Sequence, residues 1–192
     1  YCTLFPGIFA FASYNESVDE KLREKILSQP VAAAMFFSDP MLWGRDSQLI
    51  VDMARKGEWP KGGLPTRDIS NPLKLVFCNP DLHWSSNFPA PRFAQGMFRM
   101  ALEAIYKHEM LEPLQFDVMG KPTRVTYDWA TNFLNCDRMY GIGDNQLADI
   151  AGANFAGERW RSVLVKTGLY KGGPLQVQPH YLFDSVYEAV TT

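Results

Sequence analysis

Residues 139–157 read Met139-Tyr140-Gly141-Ile142-Gly143-Asp144-Asn145-Gln146-Leu147-Ala148-Asp149-Ile150-Ala151-Gly152-Ala153-Asn154-Phe155-Ala156-Gly157. How this stretch is read decides the fold. Met139 to Ile142 is an apolar run long enough for a buried strand. Gly143 has no Cβ and lets the backbone turn tightly. Leu147, Ile150, Ala151, Asn154 and Phe155 then recur at helical spacing, and Gly157 suits a helix C-cap. Asp144 and Asp149 therefore stand at the mouth of a strand-to-helix turn, where open α/β sheets place their ligands. Hard carboxylate oxygens there suit Mg²⁺, which completes its shell with water and substrate phosphate. The alternative is a surface turn in which Asp144 caps the helix.

Working outward, the same alternation recurs along the chain. Helices are expected at Val18–Ser28, Leu42–Ala54, Arg92–His108, Thr123–Leu134 and, as a last turn, Ser185–Val190. Strands are expected at Val31–Phe37 (buried on both faces), Leu73–Cys78, Phe116–Met119, Ser162–Lys166 and Tyr181–Phe183. Residues 57–72 are dense in Gly and Pro and read as an exposed loop. Asn79–Pro91 is rich in turn formers but holds Trp84 and Phe88. Strands alternating with helices argue for a mainly parallel sheet covered on both faces. The Gly/Pro-dense stretches at 57–72 and 110–122 are the places for a boundary between lobes.

Composition narrows the function classes. Net charge is −2, from 19 basic and 21 acidic residues without a basic run, so charge gives no case for nucleic acid or an anionic membrane. Three cysteines without a CxxC pair, and three histidines, make a zinc site a poor fit. A sparse, odd cysteine count suits a reducing compartment such as cytosol or mitochondrial matrix. No apolar run approaches the roughly 20 residues of a membrane span.

Three segments together carry a resemblance. Gly120-Lys121-Pro122 precedes a helix, Gly143-Asp144-Asn145 with Asp149 follows some twenty residues on, and Leu164-Val165-Lys166-Thr167-Gly168 closes the unit. This order resembles the C-terminal half of a haloacid dehalogenase (HAD) superfamily phosphatase of the subfamily with a large α/β, C2-type cap. Asn79-Pro80-Asp81-Leu82-His83-Trp84 and Pro91-Arg92-Phe93-Ala94-Gln95-Gly96 are similar to the cat eye syndrome critical region HAD-like hydrolases, usually described as mitochondrial. The likeness covers roughly residues 31–190.

The resemblance implies a HAD-like Rossmannoid parallel sheet in part, with residues 1–30 of unclear origin, 31–115 as the α/β cap region and 116–192 as the C-terminal half of the core. It implies Lys121 as the lysine that holds the transferring phosphoryl group, and Asp144 and Asp149 as the Mg²⁺ carboxylates, Asp149 in an outer or secondary place. The loop with Asn79, Asp81 and Trp84 would contact the non-phosphate part of a phosphorylated small molecule. Each has a plainer reading: Lys121 as a solvated turn lysine, Asp149 as a helix-surface acid, Asn79 and Asp81 as partners of their own loop backbone, Trp84 as packing. Arg92 could bind an anion or start its helix.

One departure matters. HAD phosphatases attack phosphorus with the first Asp of an Asp-x-Asp motif that follows an apolar strand. No Asp-x-Asp occurs in these 192 residues. The expectation is a HAD-type hydrolase homologue that is inactive as this chain alone. The competing expectation is a catalytically silent, HAD-derived accessory subunit of a larger mitochondrial assembly with protein partners. Mitochondrial location follows from the family likeness, with cytoplasm as second choice.

Overall fold

The computed structural model describes residues 32–56 and 73–192. The helix expected at Val18–Ser28, the segment 1–30 and the loop 57–72 lie outside these residues.

In chain order the elements are strand β1 (Ala33–Phe36), helix α1 (Trp43–Lys56), β2 (Lys74–Phe77), β3 (His83–Trp84), β4 (Arg92–Phe93), α2 (Gln95–Met110), β5 (Asp117–Val118) and α3 (Arg124–Leu134). There follow β6 (Met139–Gly143), a wide helical turn (Gln146–Ile150) running into α4 (Ala151–Phe155), β7 (Trp160–Val165), β8 (Tyr181–Phe183) and α5 (Val186–Thr191). Among the described residues the strands form sheets ordered β1-β2-β5, β3-β4 and β6-β7-β8. The pairs β2/β5, β6/β7 and β7/β8 are parallel, and the short β3/β4 ribbon is antiparallel. The mainly parallel α/β architecture expected from the alternation of elements is therefore present.

The described residues divide into two compact units. One gathers residues 32–34, 40–56, 73–75 and 105–115; the other gathers Met35–Asp39, Val76–Ala104 and Phe116–Thr192. In the first unit, α1 buries Leu49, Ile50, Val51 and Met53, the stripe its sequence spacing predicts. The second unit holds every candidate site residue. Near β2 its core is aromatic: Phe77 stacks on Phe36 at 4.6 Å and meets Phe116 edge-on at 5.6 Å. Around β6 and β7, Tyr127, Met139, Ala153 and Trp160 form one buried cluster, and Ile150, Leu164 and Tyr170 another. The two rings of the first cluster meet at right angles, 5.0 Å apart, and the Trp160 indole N–H donates to Thr131 Oγ1 at 2.8 Å.

Four details differ from the sequence reading. β1 alternates exposed and half-buried residues, so it is not covered on both faces, and among the described residues it is the outer strand of its sheet. β6 is also an outer strand among the described residues, so Tyr140 and Ile142 are exposed while Met139 is buried. The helix expected from Arg92 begins at Gln95. Arg92 and Phe93 are instead paired with Trp84 and His83 in the β3/β4 ribbon, which keeps them extended. Last, β7 starts at Trp160, two residues earlier than expected, its indole anchored in the Tyr127 cluster.

A Cβ added at Gly152 would overlap the Tyr127 ring. Alanine in a helix ordinarily gains about 1 kcal/mol over glycine. Here Gly152→Ala is expected to destabilise by about 1–3 kcal/mol, because overpacking outweighs propensity; urea unfolding followed by tryptophan fluorescence measures it.

Candidate functional site

β6 ends at Gly143 and delivers Asp144 and Asn145 to the carboxyl edge of its sheet. The helical turn that follows is wide. Asp149 N–H and Ile150 N–H both donate to the Asn145 carbonyl, at 2.8 and 3.3 Å, so the turn closes through a five-residue step. This carries Asp149 inward, where it is only 5% exposed. Its carboxylate lies against Gly143, and any Cβ there would overlap it. The glycine read as a turn former is thus required for close approach as well.

Asp149 does not present a free carboxylate. Its Oδ1 accepts from Lys121 Nζ at 2.5 Å, and its Oδ2 accepts from the Asn145 backbone N–H at 3.0 Å. Lys121 follows Gly120, whose φ of +85° and close approach to the Cys78 carbonyl favour glycine. The Lys121 side chain keeps 48% of its surface exposed, so the ion pair has one buried and one wet partner. Burial pulls the Lys121 ammonium down, but the hydrogen bond and charge of Asp149, then the charges of Asp81 and Asp144, outweigh it and hold Lys121 above its usual value. Lysine here stays cationic throughout the neutral range.

Asp144 points the other way along the turn. Its Oδ2 accepts from the Leu169 N–H at 2.5 Å, and it packs so closely on Gly168 that a Cβ there would overlap its carboxylate. Thr167-Gly168, read as a turn out of β7, is therefore a seat for Asp144. Among the described residues the Asp144 Oδ1 takes no hydrogen bond.

Asp81 reaches the same cluster from the loop after β2. Its Oδ1 accepts from Asn145 Nδ2 at 3.1 Å across 64 residues of sequence. Burial raises the Asp81 carboxyl above its usual value; Lys121 opposes this, and Asp149, Asp144 and Asp39 add to it. So the structure brings together Lys121, Asp81, Asp144 and Asp149. Asn79 meets them through the Asp81 backbone, its Oδ1 accepting from the Asp81 N–H at 3.0 Å, whereas the Trp84 indole donates to the Phe93 carbonyl at 3.2 Å. Both contacts are those of the plainer reading.

Three supporting residues escaped the sequence reading. Asn145, not Asp144, caps the helical turn, its Oδ1 accepting from Leu147 and Ala148 N–H at 3.0 and 3.3 Å. Buried Gln95 joins Asn79 N–H (3.0 Å) to the Ser38 carbonyl (3.0 Å). Tyr127 donates its hydroxyl to the Asp149 carbonyl at 3.1 Å, and burial followed by the Asp149 charge pushes its phenol up to about 12. A polar residue directly after Gly-Asp was the one available signal, for Asn145.

The donor set fits Mg²⁺ in part. Asp144 offers a half-buried carboxylate with an oxygen to spare. Both Asp149 oxygens are engaged, so Asp149 suits an outer place around an ion. Among the described residues no group of three or more His, Cys, Asp or Glu is placed to enclose a metal. Mg²⁺ usually keeps several waters and takes only one or two carboxylates beside a phosphate, so Asp144 alone is compatible with it.

Residues 118–189 match the HAD-hydrolase-like family model. Over most of its length the chain is 30% identical to the cardiolipin synthase (CMP-forming)/mitochondrial hydrolase fusion protein of Schizosaccharomyces pombe, covering 94% of this chain and 32% of that protein. It is also 30% identical to a mitochondrial hydrolase of Saccharomyces cerevisiae, covering 92% and 59%. The fold is similar to that of 4-nitrophenylphosphatase from Thermotoga maritima, with a TM-score of 0.60 at 19% identity over 84% of this chain and 55% of that one. The chain thus spans less than two thirds of the curated relatives it matches. Among the described residues no helix is long and apolar enough to cross a membrane.

The raised Asp81 carboxyl has a consequence for stability. A carboxyl raised in the folded state contributes stability that is present below its unfolded value of 3.8 and lost as pH rises through the folded value. At pH 7 the ionised Asp81 is therefore a net cost. Asp81→Asn is expected to raise Tm at pH 7, with the gain shrinking toward pH 4; thermal melts across that range measure it.

Proposed function

We propose that Lys121, Asp144 and Asp149 form the phosphate end of a HAD-type phosphatase pocket, with residues 31–115 as the cap region and 116–192 as the C-terminal half of the core. The observation that carries this is the Lys121–Asp149 pair at the sheet's carboxyl edge, with Asp144 seated on the same turn. Lys121 has three donors and one is spent on Asp149. The others are available to an anionic oxygen. Asp149 orients that ammonium and keeps it charged. Asp144 is the residue that would hold Mg²⁺, which when bound neutralises phosphate oxygens.

The ligand class is a phosphorylated small molecule. Lys121 and the ion offset the acids of the site and receive the phosphate; Asp81, with Asn79 and Trp84 on the same loop, faces the remainder. The attacking carboxylate is the missing part, because no Asp-x-Asp stands in this sequence. Loss of a nucleophile commonly costs a factor of ~10⁶ in rate, so these 192 residues bind a phosphate without turning its esters over. The relatives' names include mitochondrial hydrolases, and we assign this chain to the mitochondrion.

A second reading, an accessory subunit held by protein partners, is supported by exposed aromatic surface. Trp129 and Phe133 stack in parallel at 5.1 Å on the outside of α3, 66% and 72% exposed. The intact Lys121–Asp149 pair favours the pocket, since a purely structural descendant has no need of it.

Titration calorimetry with inorganic phosphate and Mg²⁺ tests the reading. The wild type is expected to bind; Lys121→Ala should weaken binding about tenfold or more, as loss of a hydrogen bond to a charged group does; Asp144→Asn should remove the dependence on Mg²⁺. Equal binding by wild type and Lys121→Ala would sink the pocket. Hydrolysis of p-nitrophenyl phosphate by the wild type, lost in Asp144→Asn, would sink the claim of silence.

A further inference from the structure

Asn145 engages four different parts of this site. Its backbone N–H donates to Asp149 Oδ2 and its carbonyl accepts from Asp149 and Ile150. Its Oδ1 caps the helical turn. Its Nδ2 donates to Asp81 Oδ1. Capping asks only for a side-chain oxygen, which Ser or Asp supplies about as well. The amide nitrogen is what a Ser or Asp at this position would lack.

The bond it makes ends on a loop that is already braced. Gly96 N–H donates to the Asp81 carbonyl at 2.8 Å, and a Cβ at Gly96 would overlap the Pro80 carbonyl. Asn79 Oδ1 holds the Asp81 N–H. The Asp81 backbone is thereby placed, while its carboxylate is oriented by Asn145. Among the described residues the second oxygen, Oδ2, takes no hydrogen bond. It is left within the field of Lys121.

We propose that Asn145 is a positioning residue: its Nδ2–H orients the Asp81 carboxylate at the rim of the phosphate pocket, so that the free oxygen selects phosphate esters presenting a hydroxyl or ammonium donor beside the phosphate. This rests on the phosphate-pocket reading. Asp81 touches the ligand and Asn145 acts through it. The same bond ties the loop after β2 to the turn after β6, so the selecting group and the phosphate-holding group keep one spacing.

The test uses the full chain and the variants Asn145→Ser and Asp81→Ala. Hydrogen exchange is expected to quicken about threefold or more over residues 79–84 in both variants, and no further in the double variant, because the two share one bond. The Leu147 and Ala148 amides should keep their protection in Asn145→Ser, since serine still caps. Calorimetry with Mg²⁺ then compares inorganic phosphate, O-phosphoethanolamine and phenyl phosphate. The wild type should prefer O-phosphoethanolamine over phenyl phosphate, and Asn145→Ser should lose that preference about tenfold. Unchanged exchange over 79–84, or an equal loss for all three probes, would overturn the proposal. Binding of none of them by the wild type would remove both the phosphate pocket and the selection. Binding of inorganic phosphate without preference among the esters would remove the selection alone.

Discussion

Lys121 and Asp149 are 28 residues apart in sequence and 2.5 Å apart in space, and the arrangement of the site follows from that pair. Asp149 is nearly sealed from solvent, so its charge needs compensation; an isolated carboxylate in that place would be costly. Lys121 and the Asn145 N–H supply it. In return, Asp149 orients a half-exposed lysine that would otherwise sample many rotamers. The glycines at 143 and 168 exist in the same account. Each carries a carboxylate against its Cα, and a methyl group at either would push Asp149 or Asp144 out of place.

The charge balance of the cluster points outward. Asp81, Asp144 and Asp149 meet one lysine, and Asp39 adds to the field on Asp81. A phosphate dianion entering such a cluster is opposed unless further positive charge comes with it. Mg²⁺ supplies that, and Asp144, seated by the Leu169 N–H with one oxygen free, is the member of the cluster with room to hold it. The two acids differ accordingly: Asp149 is spent on the lysine and the Asn145 N–H, in keeping with the outer place the resemblance implied for it, while Asp144 keeps one oxygen free.

Much of the second unit was legible from residue order. A Gly-ended apolar strand before a helical spacing placed β6 and the turn after it, and the Gly-Lys-Pro before α3 gave the lysine. What escaped was whatever depends on a neighbour distant in sequence. The cap on the turn passed from Asp144 to Asn145 because Asp144 is drawn off by Gly168 and Leu169, from the far side of β7. Nothing local announces that. Asp149 read as a possible surface acid because its burial depends on a five-residue helical step, for which the sequence carries no signal. Arg92 read as helical because Phe93 and Met97 share helical spacing. Pairing with Trp84 and His83 overrode that pattern. Strand burial was overstated for β1 and β6, since apolarity indicates what a strand can bury and not how many neighbours it has.

The central claim is that Lys121 and Asp144 address one anion. A crystal structure grown with Mg²⁺ and tungstate, a phosphate mimic with strong anomalous scattering, tests it most directly. The account predicts an anomalous peak in hydrogen-bonding reach of Lys121 Nζ, with Mg²⁺ between it and Asp144, and the Lys121–Asp149 pair unbroken. Tungstate bound elsewhere, with Lys121 and Asp144 turned to separate solvent, would contradict it.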